Sequence, residues 1–323
     1  MRAMMNVLIV RTSSMGDLIH TWPAITELKA HYPNLRISWL AEENFADIPR
    51  LHPAVDEVIP LAWRRWRKHL LSPATWAEMQ AVRQQLRATP WDLVVDCQGL
   101  LKSAVPARFS CAPLTGYDRH SIREPLACLL YHKTHRVDWS LSAVERCRLL
   151  LAKVFGYQPE GSPRFGVPAA ARPDWLPSGG YAVLLHATSR AAKEWPEQHW
   201  IALGARLAAQ HGLQLIIPWG NAAEQQRAER LAAALPQAVV APRMNLVEAC
   251  GLLGHARAVI GVDTGLSHLA NALNVPLVAI YTDTDPGKTG VVATPWAINL
   301  GNIGQCPTVD EVYQALLARK GMQ

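Results

Sequence analysis

Short runs of apolar and β-branched residues alternate along the first half of the chain with longer amphipathic stretches. The short runs predict strands at residues 7–10, 36–40, 57–61 and 92–96. The amphipathic stretches predict one helix from Asp17 towards His31 and another at 74–87. Strands separated by helices are typical of a parallel sheet with right-handed crossovers.

A second series of the same kind follows a segment rich in Pro, Gly and Ser at residues 158–180. Such a composition favours a linker. Beyond it, the pattern predicts strands at 181–186, 213–217, 239–241, 258–262 and 277–281. It predicts helices at 199–210, 222–235 and 267–273, and capping boxes that open further helices at Asn245 and Thr308.

The two series predict an α/β protein with two Rossmann-like, doubly wound parallel-sheet domains that face each other across a central cleft. We place the first domain at residues 1–160, a linker at 161–180 and the second domain at 181–307. Ligands of such sheets bind beyond the carboxyl ends of the strands. We therefore expect the chemistry where a strand ends and a helix begins.

The first such junction, residues 11–17, joins a strand to a helix through a polar loop. Gly16 would allow a close approach of the backbone, and free amides at the helix start would favour an ionised carboxylate. Asp17 is therefore a candidate general base that takes a proton from an attacking hydroxyl. The alternative is that Asp17 only stabilises the helix terminus.

The second junction reads Ile-Gly-Val-Asp-Thr-Gly-Leu-Ser-His. The amides of Thr264, Gly265 and Leu266 could cradle a diphosphate, and Asp263 could accept hydrogen bonds from sugar hydroxyls. The alternative is a plain turn in which Asp263 caps the helix. We interpret His268, taken alone, as a structural histidine.

The third junction carries two hydroxyls and two cations after a strand, in Thr188, Ser189, Arg190 and Lys193. Lys193 could neutralise the negative charge that grows on a departing diphosphate. The alternative is a solvated loop whose cations have no specific partner.

Four cations, Arg64, Arg65, Arg67 and Lys68, surround two tryptophans at residues 63–68. Arginine suits phosphate and carboxylate groups, and tryptophan suits a membrane interface, so this segment could hold an anionic lipid head group. One alternative is a DNA contact, for which the sequence has no recognisable module. The other is a solvated basic face with the tryptophans packed inward.

Composition narrows the class of protein. The 323 residues are 50% hydrophobic and 18% charged, with a formal net charge of +6 and a pI near 9.1. These values suit a globular protein with anionic partners. The sequence has no apolar run long enough for a membrane span and no signal-peptide core, which predicts a cytoplasmic protein.

Several cofactor signatures are missing from the sequence. The six cysteines are widely spaced, which indicates reduced thiols. The chain also lacks a Gly-x-Gly-x-x-Gly after a strand, a Walker A motif and a His-x-x-x-His pair. These absences disfavour a nicotinamide or flavin cofactor, a P-loop site and a bound metal. We expect neither a cofactor nor a metal.

Three segments together resemble the lipopolysaccharide heptosyltransferase I family. They read Arg-Thr-Ser-Ser-Met-Gly-Asp at 11–17, His-Ala-Thr-Ser-Arg-x-x-Lys-x-Trp-Pro at 186–196 and Val-Asp-Thr-Gly-Leu-Ser-His at 262–268. Shorter segments fit in order between and after them, so the resemblance spans nearly the whole chain. These segments lie at 96–103, 123–126, 218–220 and 284–287.

The resemblance implies a GT-B fold and the transfer of L-glycero-D-manno-heptose from ADP-heptose to the Kdo sugar of Kdo-lipid A. The transfer would invert the anomeric configuration and use no metal. Asp17 would be the base, and Lys193 would assist departure of the diphosphate. The implied donor-binding residues are Thr188, Ser189, Glu224, Met244, Asp263, Thr264, Gly265, Leu266 and His268. The implied acceptor-binding residues are Ser14, Gly16, Arg64, Arg65, Arg67, Lys68 and Arg123.

The resemblance also sets the expected partners and location. These are ADP-heptose, Kdo-lipid A and the cytoplasmic face of the inner membrane, to which the protein would be peripheral, and no nucleic acid. By the same resemblance, the last helix, about residues 308–323, is compatible with packing back on the first domain. Two other functions stay open, namely a GT-B transferase with a different nucleotide sugar and a non-catalytic nucleotide-binding protein at the membrane surface.

Overall fold

The computed structural model describes residues 5–322 of the chain. Residues 1–4, with which the predicted first domain begins, and residue 323 lie outside the described residues. One compact unit ends at Gly166 and a second begins at Val167. This division falls inside the predicted linker, and residues 158–180 contain neither a helix nor a strand.

The first unit is built on a six-stranded parallel sheet in the order β3-β2-β1-β4-β5-β6. Its strands are β1 (Asn6–Val10), β2 (Arg36–Glu42), β3 (Glu57–Leu61), β4 (Leu93–Asp96), β5 (Leu114–Tyr117) and β6 (Lys133–His135). The side chains of 7–10 in the central strand β1 are fully buried. Such complete burial is typical of a parallel sheet covered by helices on both faces.

Seven α-helices accompany this sheet among the described residues. They are α1 (Met15–Ile19), α2 (Trp22–His31), α3 (Asp47–Arg50), α4 (Trp63–Trp66), α5 (Pro73–Ala88), α6 (Leu101–Ala107) and α7 (Ala143–Phe155). Short 3-10 helices cover Glu43–Phe45, Arg108–Ser110 and Pro125–Leu130.

The single helix predicted from Asp17 towards His31 is wrong, because the structure divides it into α1 and α2. Pro23 lies in the first turn of α2 and has no backbone N–H with which to continue a helix from α1. The hydroxyl of Thr21, which lies between the two helices, donates to the carbonyl of Asp17 at 3.1 Å. The result is a short α1 whose first turn holds Asp17.

The second unit repeats the architecture with a parallel sheet in the order β12-β11-β10-β7-β8-β9. Its strands are β7 (Tyr181–Leu185), β8 (Gln214–Ile217), β9 (Ala238–Val240), β10 (Ala258–Val262), β11 (Leu277–Tyr281) and β12 (Ala297–Gly301). Its helices are α8 (Glu197–His211), α9 (Ala222–Ala233), α10 (Leu246–Gly254), α11 (Gly265–Ala272), α12 (Pro286–Thr289) and α13 (Val309–Leu317), with a 3-10 helix at Ala191–Lys193.

Counted within each unit, the strand order is 3-2-1-4-5-6 in both sheets. The doubly wound α/β prediction is therefore confirmed. In this topology the order reverses between the first and fourth strands, and a crevice opens there at the carboxyl ends. These switch points lie between β1 and β4 in the first unit and between β7 and β10 in the second.

The last helix, α13, packs against α8 in the second unit. The Tyr313 hydroxyl donates to Gln210 Oε1 at 2.5 Å and lies 2.9 Å from His211 Nε2. The structure thus groups this helix with the second unit, whereas the resemblance allowed it to belong with the first. Among the described residues, no helix is both long and apolar enough to span a membrane.

Candidate active site

Asp17 lies just beyond β1, at the switch point of the first sheet, and an ion pair fixes its carboxylate. Arg11 Nη2 lies 2.9 Å from Asp17 Oδ1. The Arg11 side chain is only 11% exposed, and that of Asp17 is 37% exposed. One oxygen of Asp17 is thus held by a nearly buried guanidinium.

The second oxygen of Asp17 closes the start of α1. Asp17 Oδ2 accepts hydrogen bonds from the Ser14 backbone N–H at 2.8 Å and from the Ser14 hydroxyl at 3.0 Å. The alternative interpretation of Asp17 as a helix-terminus residue therefore describes a real contact. It does not compete with a chemical role, since an oriented carboxylate is what such a role needs.

These contacts control the ionisation of Asp17. Burial raises the pKa of the carboxyl, but the charge of Arg11 and the hydrogen bonds from Ser14 outweigh it and lower the pKa to about 2. Asp17 is consequently ionised throughout the neutral range.

The loop beyond β4 and the first turn of α6 supply two residues that sequence reasoning missed, Gln98 and Lys102. Gln98 Oε1 accepts from the Thr12 backbone N–H at 2.8 Å, and its amide nitrogen donates to the Ser13 carbonyl at 2.9 Å. Lys102 Nζ donates to the Ser13 hydroxyl at 2.7 Å. Both side chains hold the loop between Arg11 and α1, the helix that carries Asp17. Polar residues directly after a strand at a switch point were the available signal.

Lys102 is half-buried among other charges. Burial and the nearby Arg64 lower the pKa of its ammonium, whereas Asp17 and Glu42 act in the opposite direction. This cation therefore belongs to the same electrostatic cluster as Asp17.

In the second unit, the switch point holds a close lysine–carboxylate pair. Lys193 Nζ lies 2.5 Å from Asp263 Oδ2, and the side chains are 16% and 13% exposed. The Thr188 hydroxyl donates to the Asp263 carbonyl at 2.7 Å. Thr188 and Lys193, in the segment beyond β7, thus both contact Asp263 at the end of β10.

The loop that carries Lys193 is anchored on either side of the ion pair. The Thr282 hydroxyl donates to the Ala192 carbonyl at 2.9 Å. The buried Trp195 indole donates to the Pro307 carbonyl at 2.8 Å and packs edge-on against Trp200, with ring centroids 5.0 Å apart. Lys193 is therefore fixed by contacts within the second unit.

Helix α11 begins at the same edge of the sheet. Thr264 is its N-cap, and the half-buried Gly265 and Leu266 form its first turn. The Ser267 hydroxyl donates to the Val262 carbonyl at 2.8 Å. His268 is buried, with 6% exposure. The amides of Thr264, Gly265 and Leu266 therefore lie at the start of this helix, which begins two residues before the predicted bound of 267.

The remaining predicted donor residues follow strands of the same sheet. Glu224 accepts from the Gly220 backbone N–H at 2.7 Å and from the Asn221 amide at 2.7 Å, at the start of α9. Met244 is half-buried beyond β9, and Ser189 is exposed beyond β7. Because parallel strands end at one edge, all of these residues lie along the carboxyl edge of the second sheet.

The predicted acceptor residues follow strands β1, β3 and β5 of the first sheet, and all but Arg65 are compatible with the predicted role. Arg64, Arg67, Lys68 and Arg123 are exposed in the first unit. Arg65 instead pairs with two carboxylates, Glu43 at 3.1 Å and Glu78 at 2.8 Å. Its charge is largely used within the protein. Ser14 and Gly16 lie beside Asp17 at the start of α1.

Within residues 5–322, no group of three or more His, Cys, Asp or Glu side chains is arranged to hold a metal ion.

Comparison with known proteins places the chain in a family. The model of glycosyltransferase family 9 (heptosyltransferase) matches residues 79–315. Lipopolysaccharide heptosyltransferase 1 of Pseudomonas aeruginosa is 44% identical over 304 residues, which cover 94% of this chain and 85% of that protein. The protein of the same name from Escherichia coli K12 is 44% identical over 290 residues, which cover 88% of this chain and 90% of that protein.

Solved structures agree with the sequence relatives. The E. coli heptosyltransferase WaaC with ADP has a TM-score of 0.88 and 40% identity, covering 96% of this chain and 98% of that one. The same protein with ADP-2-deoxy-2-fluoro heptose has a TM-score of 0.85 at 40% identity over the same shares. Family model, relatives and fold agree, and the chain belongs to glycosyltransferase family 9, the heptosyltransferase family.

Proposed function

We propose that the chain transfers L-glycero-D-manno-heptose from ADP-heptose to the Kdo residue of Kdo-lipid A, in assembly of the lipopolysaccharide inner core. One observation carries this proposal. The two switch points hold an ionised carboxylate, Asp17, and a lysine–carboxylate pair, Lys193 and Asp263. The 44% identity to lipopolysaccharide heptosyltransferase 1 over 94% of the chain supports the choice of sugar and acceptor.

The second unit would bind the donor. Lys193 would neutralise the charge on the departing ADP, and the amides of Thr264–Leu266 would meet its diphosphate. Asp263 would accept hydrogen bonds from heptose hydroxyls. Since Lys193 is already held by Asp263 and its loop is anchored, little reorganisation would be needed as charge develops. Thr188, Ser189, Glu224, Met244 and His268 would complete the donor site.

The first unit would activate the acceptor. Asp17 would accept the proton of the Kdo hydroxyl that attacks the anomeric carbon of heptose. A carboxylate of such low pKa is a weak base, so the proton would move only as the hydroxyl oxygen bonds to carbon and becomes acidic. Attack on the face opposite ADP would invert the anomeric configuration.

Exposed cations would bind the acidic groups of the acceptor. Arg64, Arg67, Lys68 and Arg123 are available for this, while Arg65 is held by Glu43 and Glu78. Ser14 and Gly16 would contact the acceptor sugar beside Asp17. Because Kdo-lipid A is a membrane lipid, we place the protein at the cytoplasmic face of the inner membrane, as a peripheral protein.

We further propose that the reaction needs no metal ion. In this scheme Lys193 and the first amides of α11 supply the positive charge that a divalent cation supplies in other transferases. The chain would therefore have no resident cofactor.

The first prediction tests the reaction itself. Incubation of the protein with ADP-heptose and Kdo-lipid A, in chelator and without added metal, is expected to give an acceptor heavier by one heptose in mass spectrometry. ADP should appear in equal amount. An unchanged acceptor with intact, bound ADP-heptose would point to a different acceptor. Protection of the protein by UDP but not by ADP in a thermal shift would favour another nucleotide sugar.

The second prediction concerns the base. Asp17→Asn keeps the shape of the side chain but removes its negative charge, so we expect the turnover number to fall by roughly 100-fold or more. The dissociation constant for ADP-heptose should change little, because the donor residues lie in the second unit. The matched control is Asp47→Asn, which breaks an exposed ion pair with Arg50 and should leave turnover unchanged. Near-normal turnover in Asp17→Asn would remove Asp17 from the base role.

The third prediction concerns the leaving group. Lys193→Ala removes the cation and leaves Asp263 without its ion-pair partner, so both donor affinity and turnover should fall, turnover by roughly 100-fold. Arg230→Ala removes an exposed cation that pairs with Glu197 and serves as the control. Kinetics over a range of ADP-heptose concentrations separate the two effects. A variant that loses affinity but keeps its turnover number would contradict a role in departure of ADP.

A further inference from the structure

The connection between α4 and α5 carries two leucines at the corner of a tight turn. The Ser72 backbone N–H donates to the His69 carbonyl at 3.0 Å, so Leu70 and Leu71 occupy the two central positions. Leu70 is 50% exposed and Leu71 is 99% exposed. Central turn positions usually favour Pro, Asn, Asp or Gly for backbone reasons. Leucine brings no such benefit here, and these two side chains contribute little to the core.

A third large apolar side chain stands beside the turn and braces it. Trp76, in the first turn of α5, is 53% exposed. Its indole donates to the Leu70 carbonyl at 2.7 Å. On the other side of the turn, the buried Trp66 donates to Glu78 at 2.8 Å. The two leucines are therefore exposed on a turn whose flanking helices are held together by these two hydrogen bonds.

The surroundings of the turn are strongly basic. Arg67 and Lys68 directly precede it and are exposed. No acidic residue occurs in the sequence between Glu57 and Glu78. Glu78 itself is engaged with Arg65 at 2.8 Å. The apolar tip thus stands next to cations whose charge nearby carboxylates do not cancel.

This combination matches the interface of an anionic bilayer. Leucine side chains enter the acyl boundary, tryptophan prefers the head-group level and cations attract anionic head groups. The turn also lies near the acceptor side of the site, since α4 follows β3 at the edge of the sheet where Asp17 lies.

Another exposed apolar residue provides a contrast. Ile303 is 64% exposed, between β12 and α13 of the second unit. No Lys or Arg occurs in the sequence between Lys288 and Arg319. Exposure of single apolar side chains is common on protein surfaces. Unlike Ile303, the α4–α5 turn groups an apolar tip with an exposed tryptophan and exposed cations.

We propose that Leu70 and Leu71, with Trp76 beside them and Arg67 and Lys68 at their base, insert into the interface of an anionic lipid bilayer. This contact holds the first unit at the surface in which its acceptor is embedded. The inference shares Arg67 and Lys68 with the proposed acceptor site and rests on the proposed function for the identity of that acceptor. It assigns membrane attachment to one turn rather than to the basic charge of the whole protein.

The test uses the full chain and the double variant Leu70→Ser, Leu71→Ser. Vesicles of phosphatidylglycerol and phosphatidylethanolamine, free of any lipopolysaccharide, are sedimented with each protein. The wild type is expected to co-sediment with the vesicles. The partition coefficient of the variant should be lower by a factor of roughly 10 or more. Binding of the wild type should also fall as salt rises and as the anionic lipid is removed. Ile303→Ser is the matched control and should bind like the wild type.

Two further measurements separate this inference from the proposed function. Both exposed positions should tolerate serine, which thermal melting of the variant checks. With a deacylated, soluble Kdo acceptor, the variant is expected to turn over like the wild type, whereas with acceptor in vesicles it should be slower. If the wild type transfers no heptose but its vesicle binding still depends on the leucines, the proposed function fails and the attachment stands.

Three results would overturn the attachment. The first is equal co-sedimentation of the variant and the wild type. The second is wild-type binding that is equally strong to neutral vesicles at all salt concentrations. The third is a wild-type dimer that the double variant cannot form, because the turn would then be covered by a second copy of the chain.

Discussion

A charge that is taken out of water must be matched by an opposite charge, and this constraint organises the candidate site in the first unit. Burial alone would raise the pKa of Asp17 and favour its neutral form. Arg11, itself only 11% exposed, reverses this effect and keeps the carboxylate ionised. Gln98 and Lys102 then fix the loop between the two residues. The proposed base is therefore defined by its partners as much as by its own side chain.

The second unit meets the same constraint with another ion pair, in which the cation rather than the carboxylate has the proposed catalytic role. Lys193 and Asp263 neutralise each other at the end of the sheet, at 2.5 Å. In the proposed reaction, the arrival of a diphosphate gives Lys193 a second anion, and a sugar gives Asp263 hydroxyl donors. Because both sheets have the strand order 3-2-1-4-5-6, the two sets of charged residues occupy equivalent switch points. The repeated topology explains why the residues proposed to act in the reaction lie at these places in both units.

Local sequence signals predicted most of the fold. Strand β3 at 57–61 and strands β10 and β11 have the predicted bounds, because short apolar runs between polar turns define them sharply. The capping boxes at Asn245 and Thr308 both open helices. The division of the first long helix was missed, although Pro23 marks it. Strands β5, β6 and β12 were missed because their sequences, such as Ala-Ile-Asn-Leu-Gly in β12, are short and mixed in polarity.

The candidate site was only partly predictable, because its contacts join residues far apart in sequence. The motifs indicated Asp17, Lys193 and Asp263, but not that Arg11 would pair with the first or that the other two would pair with each other. Lys102 lies 89 residues from the Ser13 hydroxyl that it contacts. Arg65 was expected to bind acceptor, yet Glu43 and Glu78 engage it. Periodicity and spacing carry no information on such long-range pairings.

The most direct test of the central claim, that Arg11 keeps Asp17 ionised, is the pH dependence of kcat/KM for the wild type and for Arg11→Met. With a pKa of about 2, Asp17 stays charged across the working range, so the wild-type profile should show no loss of activity through its protonation between about pH 5 and 8. Arg11→Met removes the charge that lowers the pKa of Asp17 most, so this pKa rises. The acid-side fall in activity should then begin at a higher pH than in the wild type, with both profiles followed down to the lowest pH at which the proteins stay folded. Profiles of the same shape for both proteins would contradict the account.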